Sequence, residues 1–218
     1  MIIGYNTYMK TFFIVIIVVL FVWIVWSFFT DSSLESPTYI VLEKKAGYEI
    51  REYDSHIIAE TTVSGNASNS TGKAFREIGG YIFGENTENQ SIAMTTPVTT
   101  AQASTVIEMT APVTTETKDN MMTMSFMMPS RFNLDNLPNP NSNNVSFREV
   151  PSGTFATIAF SGRASTQKRL KKTQQLTELL KRDGVSIVSE AQLLQYDRPT
   201  KFPLLQKNEI KIEIQNYE

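Results

Sequence analysis

The chain has 218 residues, with 20 basic against 22 acidic side chains and a formal net charge of −2. That length suits one main domain around a single core, and the balanced charge provides no basic field of the kind that recruits nucleic acid. Cysteine is absent and His56 is the sole histidine, which excludes disulfides, thiolate nucleophiles, zinc–thiolate centres and any site built on two imidazoles.

Residues 1–10 form a short tail, and Thr11 to Thr30 then read TFFIVIIVVLFVWIVWSFFT without a charge. At about 1.5 Å per residue this run crosses a hydrocarbon core of about 30 Å. A cleaved signal peptide has a shorter apolar region and a small-residue cleavage site, and Trp26-Ser27-Phe28-Phe29 offers none. The stretch 11–30 therefore reads as an uncleaved, single-pass transmembrane anchor. Lys10 on one side, against Asp31 and Glu35 on the other, predicts a cytoplasmic N-terminus and a soluble domain on the extracytoplasmic side. Residues 31–45 read as a linker and 46–218 as the soluble domain.

Within that domain the sequence resembles itself. At an offset of 97, Tyr48–Ser68 lies over Val145–Ser165 with eight of 21 positions identical, among them Arg51-Glu52 with Arg148-Glu149 and Ser64-Gly65 with Ser161-Gly162. Each copy reads as strand, turn, strand and helix. The first helix, about Ser70 to Phe83, sets Ala74, Phe75, Ile78, Tyr81 and Ile82 on one apolar stripe. Gly79-Gly80 inside it costs about 1 kcal/mol per glycine relative to alanine, so either something approaches closely there or the helix ends.

After this helix the pattern Met-Thr-x-Pro-Val occurs twice, at Met94–Val98 and Met109–Val113. Proline cannot donate to a β-ladder, so each copy reads as a strand that delivers a methionine and then bends away. From Met121 to Met128 the alternation puts Met122, Met124, Phe126 and Met128 on one wholly apolar face. Lys118-Asp119-Asn120 reads as a hairpin turn pairing this strand with the second Met-Thr-x-Pro-Val.

The Asn- and Pro-rich stretch Asn133–Asn144 marks a surface crossover. The second helix, about Gln167 to Arg182, carries Leu170, Leu176, Leu179 and Leu180 and stops at Asp183-Gly184. Strands Gln192–Tyr196 and Ile210–Ile214 follow. The fold class is α+β: two βαββ-like pseudo-repeats, about 46–132 and 145–215, forming a distorted antiparallel β-barrel with two outer helices and a central cleft, preceded by the transmembrane helix.

An ordered set of motifs then resembles the SOUL haem-binding family, in particular its bacterial branch. It comprises Gly47-Tyr48-Glu49-Ile50-Arg51-x-Tyr53, Ala74-Phe75-Arg76, Gly80-Tyr81-Ile82-Phe83-Gly84 and both Met-Thr-x-Pro-Val copies. It continues with Met124-Ser125-Phe126, Met128-Pro129-Ser130, Phe160-Ser161-Gly162, Tyr196-Asp197-x-Pro199 and Asn208-Glu209-Ile210. The resemblance implies two βαββ halves around an eight-stranded distorted barrel, similar to gyrase-inhibitor-like effector-binding domains. It also implies reversible binding of haem or another tetrapyrrole in an apolar groove. Some animal members have a histidine after Tyr-Glu-Ile-Arg as a proposed iron ligand; here that position is Glu52.

The candidate haem-binding residues are Met94 and Met109 as groove-lining strand ends, Met124 and Met128 on the apolar strand face, Arg51 and Arg148 for propionates, Tyr196, and His56 as an axial imidazole. Each has a plainer alternative: core packing for the methionines, structural ion pairs for the arginines, a half-exposed strand position for the histidine. Lys168, Arg169, Lys171 and Lys172 at the start of the second helix offer an anion site or a solvated face. Binding without catalysis is the leading expectation. The alternatives are a hydrolase or effector-binding domain using Glu52, Glu149, Tyr196 or Glu209, and a membrane-tethered protein-interaction module.

Overall fold

The computed structural model describes residues 2–29, 34–64, 67–88, 91–102, 121–197 and 201–215. A helix, α1 (Ile2–Phe29), precedes nine strands and two further helices. The strands are β1 (Tyr39–Lys45), β2 (Tyr48–Tyr53), β3 (His56–Ser64), β4 (Val98–Gln102), β5 (Met121–Met127), β6 (Ser146–Val150), β7 (Gly153–Ser161), β8 (Gln192–Gln195) and β9 (Lys207–Glu213). Helix α2 (Ala67–Ile82) follows β3 and α3 (Thr166–Arg182) follows β7, and a short 3-10 turn, Pro203–Leu205, precedes β9.

All nine strands join one curled antiparallel sheet in the order β1-β2-β7-β9-β8-β4-β5-β3-β6. Leaving out β1, this order reads the same from either end when β2, β3, β4 and β5 are exchanged for β6, β7, β8 and β9. The register follows the same exchange: Arg51 on β2 faces Phe155 on β7, and Arg148 on β6 faces Ile58 on β3.

Both helices pack on one side of the sheet, and strand alternation decides what they bury. Helix α2 covers Ala59, Val63, Met124 and Phe126 with its own Ala74, Ile78, Tyr81 and Ile82. Helix α3 covers Ile50, Ala156, Ile158, Ile210 and Ile212 with Leu176 and Leu180. Each large aliphatic side chain buried in these layers contributes about 1.5–3 kcal/mol. The Ser165 hydroxyl accepts from the Lys168 backbone N–H at the start of α3, and Gly184, at φ +70°, follows its end. The stop expected at Asp183-Gly184 is thus where the helix ends.

Four expectations change. Residues 39–45, assigned to a linker, form β1, an edge strand paired to β2, so the sheet has nine strands rather than eight. The first Met-Thr-x-Pro-Val precedes its strand instead of ending one: the Thr96–Pro97 peptide is cis and β4 starts at Val98, so the missing proline N–H falls outside the ladder. The partner of β5 is this β4, with Val98 opposite Phe126, while β3 takes the other edge of β5. The second copy, Met109 included, lies outside the described residues. Finally, Phe75 sits at the border of the core stripe of α2, its ring 5.8 Å from that of the buried Phe126 yet 37 % exposed.

Helix α1 contains an apolar stretch, Tyr8–Trp26, long enough to cross a membrane and 0 % buried. Its Trp23 meets Phe202 edge-on, ring centroids 5.2 Å apart.

Candidate functional site

The side of the sheet away from the helices is polar. On β2, Arg51 and Tyr53 alternate with the buried Tyr48 and Ile50; on β9, Glu209, Lys211 and Glu213 alternate with Ile210 and Ile212. A period of two therefore sorts each strand into a core-facing apolar set and an inward-facing polar set.

These polar groups satisfy one another. The Arg51 guanidinium donates to both Glu209 oxygens at 3.1 and 3.0 Å, to Glu49 Oε2 at 2.9 Å and to the Tyr53 hydroxyl at 3.2 Å. The Tyr196 hydroxyl donates to Glu209 Oε2 at 2.6 Å. Burial, the largest single influence, favours a neutral Arg51, but the Glu209 charge together with the Tyr53 and Glu49 contacts outweighs it and raises the pKa. Burial also pushes the Tyr196 phenol up, with Glu209 adding to it. Burial acts the same way on Glu49, but there the Arg51 contact prevails and holds the carboxyl below its usual range. Both hydroxyl and guanidinium are thereby fixed in the forms that donate to Glu209.

His56 stands where three adjoining cavities of about 210, 230 and 200 Å³ meet. Its Nδ1 is 2.9 Å from the Asp54 carbonyl, to which it donates, so Nε2 carries the lone pair. Burial lowers its pKa; the Asp54 hydrogen bond opposes that, and the charges of Lys211 and Arg148 reinforce it. The segment Ser36-Pro37 borders two of the three cavities, held by the Thr96 N–H on the Glu35 carbonyl at 2.9 Å and the Ser130 N–H on the Glu35 carboxylate at 2.8 Å.

A second concavity lies on the opposite side, over the outer face of α2. It measures about 490 Å³ and is lined by Phe75, Arg76, Gly79, Phe83 and the crossover residues Pro140 and Ser142, among others. Phe75, Gly79 and Phe83 fall four residues apart on one helical face. A Cβ added at Gly79 would meet the Phe75 and Phe83 rings at only 3.8 and 3.9 Å, so the glycine is a gap between two aromatic edges rather than a packing requirement. Phe83 is 65 % exposed. The wall is tied down by the Asn141 N–H on the Glu85 carbonyl at 3.2 Å and the Ser142 hydroxyl on Glu77 at 2.9 Å.

The sequence candidates separate. Arg51, Tyr196 and His56 come together on the inner side. Arg148, on the same side, pairs with Glu60 at 3.2 Å. Met124 and Met128 belong to the α2 core, whereas Met127, on the opposite face of β5, borders the inner cavity. Met94 is half-buried ahead of Pro97. Of the four residues considered for hydrolysis, Tyr196 and Glu209 meet, while Glu52 and Glu149 are exposed. At the start of α3, Lys168 Nζ donates to the Ser161 carbonyl, a structural use of the basic run. Sequence reading missed Phe83 and Lys211. A large exposed aromatic at a helix end and a lysine alternating with isoleucines were the available signals.

Fold and surface together define a two-helix, curled-sheet domain with concavities on both sides. Comparison narrows the class: the family model described as SOUL heme-binding protein matches residues 34–213, and the chain belongs to that family. It is similar to heme-binding protein 2 of Mus musculus, 28 % identical over 84 % of this chain and 91 % of the mouse protein. The fold is also that of the EcmrR C-terminal domain, with TM-score 0.55 and 14 % identity over 78 % of this chain and 98 % of that one. An uncharacterized conserved protein from Listeria innocua aligns with TM-score 0.51 and 9 % identity over 84 % of this chain and 94 % of that one.

Proposed function

We propose that this chain is a membrane-anchored, non-catalytic carrier that binds haem or a related tetrapyrrole reversibly on the outer face of α2. Family membership supports the ligand class. The observation that carries the location is the 490 Å³ concavity whose floor is Gly79 between the exposed rings of Phe75 and Phe83. A flat macrocycle needs a wide, shallow, aromatic surface, and ligand pockets usually span about 300–1,000 Å³. Each inner cavity falls below that range, at about 200–230 Å³, and the wall of the one of about 210 Å³ carries buried charged groups such as Glu209 and Lys211 beside its apolar ones.

On this platform the rings of Phe75 and Phe83 would hold the macrocycle by its face, and Arg76 would meet a propionate at its edge. Among the described residues the lining includes no histidine or methionine, and its Tyr81 is buried with the phenol pushed up to about 12, so the protein would hold the ring without ligating its iron, and an open platform allows exchange. His56, Arg51 and Tyr196 then belong to a different inner surface. The non-catalytic reading is supported by Glu209, whose oxygens already accept from Arg51 and Tyr196. Two ββαββ halves, 97 residues apart across β3 and β7, account for the mirrored strand order. Helix α1 is read as the anchor, with the domain on the extracytoplasmic side; no nucleic acid partner is invoked.

Hemin titrated into the full-length protein in non-ionic detergent should shift the Soret band and saturate near one equivalent. A linear response matching that of empty micelles would remove haem as the ligand. Alkaline extraction of expressing cells should leave the chain in the membrane pellet. Release into the supernatant would remove the anchor.

A further inference from the structure

Most of the charged groups on the inner side of the sheet have opposite partners. Arg51 sits between Glu49 and Glu209, Arg148 pairs with Glu60, and Lys201 pairs with Asp197 at 2.7 Å. Lys211 does not. It lies on β9 between Thr157 of β7 and Gln192 of β8, and it is only 6 % exposed. Its ammonium rests on ring faces, 4.3 Å from the centroid of Phe155 and 4.9 Å from that of Tyr53. It makes no hydrogen bond or ion pair among the described residues. Cation–π contact offsets only part of the cost of burying an ammonium.

The surroundings show what would complete it. Lys211 borders two of the inner cavities, of about 210 and 200 Å³, and shares both with His56, Ile58 and Thr99. The larger has an apolar side formed by Ile58, Met127, Leu194 and Pro97 and a polar side that includes Tyr196, Asn208 and Glu209. Lys207, at the start of β9, also borders the larger cavity but is exposed. Glu209, two residues back on β9, is bound by Arg51 from β2 and by Tyr196 beyond β8. Glu213, two residues on, acts on Lys211 through space without forming an ion pair. Tyr53 of β2 offers its ring, His56 of β3 is held neutral, and Arg148 of β6 is turned to Glu60. A buried cation without an ion pair of its own, with Glu209 already taken up by Arg51 and Tyr196, a small volume and an apolar side formed by Ile58, Met127 and Leu194 together select a ligand with a single negative charge and a compact hydrocarbon body.

We propose that the inner cavity is a second ligand site, distinct from the α2 platform, for a small apolar monocarboxylate whose carboxylate pairs with Lys211 while its body lies among Ile58, Met127 and Leu194. Burial brings the Lys211 amine down to about 8, with Glu213 and Glu209 opposing the shift. The ammonium is therefore present at pH 6.5 and largely lost at pH 9.5, which gives the site a pH signature.

Calorimetric titration of the full-length protein in non-ionic detergent, with benzoate and with the isosteric neutral benzamide, tests this. At pH 6.5 benzoate should bind at least tenfold more tightly than benzamide, and the preference should vanish at pH 9.5. Lys211→Met should erase the preference and leave the hemin titration unchanged. The wild-type pH comparison stands even where that variant folds poorly. Equal affinity for the two probes at pH 6.5, no binding of either, or a preference that survives in Lys211→Met would overturn the site. None of these results depends on whether hemin binds.

Discussion

The imidazole of His56 gives its Nδ1 proton to the Asp54 carbonyl and turns Nε2 toward the cavities. Its pKa is lowered from 6.5, with burial the largest cause, so the unfolded chain takes up a proton more readily than the folded one. The stability that His56 contributes is therefore complete above about pH 6.5 and is lost as the pH falls through the lower folded value. The stability difference between wild type and His56→Gln, followed by thermal unfolding, should narrow from pH 7 to pH 5. As the one histidine in the chain, its NMR signal should titrate with a midpoint below 6.5. A midpoint at or above 6.5 would contradict a half-buried, neutral ring. Nothing in the sequence around Asp54-Ser55-His56 distinguished this tautomer from an axial ligand, because the distinction rests on burial and on one carbonyl.

Among the elements, α2 joins core and platform. Ala74, Ile78, Tyr81 and Ile82 face inward, Phe75 lies at the border with one side of its ring toward Phe126, and Phe83 projects outward over the buried Gly79, so the helix buries one face and leaves an aromatic-edged groove beside it. A methyl group at Gly79 meets ring atoms at ordinary contact distance, and alanine in a helix interior is favoured over glycine by about 0.5–1 kcal/mol. Gly79→Ala should raise stability by about that amount in chemical denaturation; a loss instead would mean that the backbone there needs glycine. The helix was legible from its 3.6 periodicity and β5 from its alternation, with Met124 and Phe126 correctly set on the apolar face. What that face packs against was not legible. An apolar strand face opposite a helix and one lining a groove have the same pattern, and only the handedness of the connections decides which side α2 covers. Strand β1 was missed because Tyr39–Lys45 is half apolar and half charged, as suits an edge strand. The place of β4 was missed because proline was read as ending a strand, although it fits equally well just before one.

For the whole molecule, the account assigns opposite faces of one sheet to different tasks: helices and a macrocycle platform outside, a satisfied polar network with a small acid site inside. The sequence repeat foretold the two helices on one side and the cleft on the other. It did not foretell that the inner wall would be charged, because Arg51 and Glu209 lie 158 residues apart and their pairing arises from strand order alone. The central claim is the location of the haem site, and parallel hemin titrations of Phe83→Ala, Arg76→Glu and Lys211→Met test it most directly. Phe83 is largely exposed, so its truncation leaves the fold intact while removing an aromatic contact worth about 1.5–3 kcal/mol when covered, about 10- to 150-fold in affinity. The account predicts a loss of at least tenfold for Phe83→Ala, a further weakening for Arg76→Glu, and wild-type affinity for Lys211→Met. Wild-type affinity in both platform variants, with loss confined to Lys211→Met, would contradict it and move the macrocycle to the inner side of the sheet.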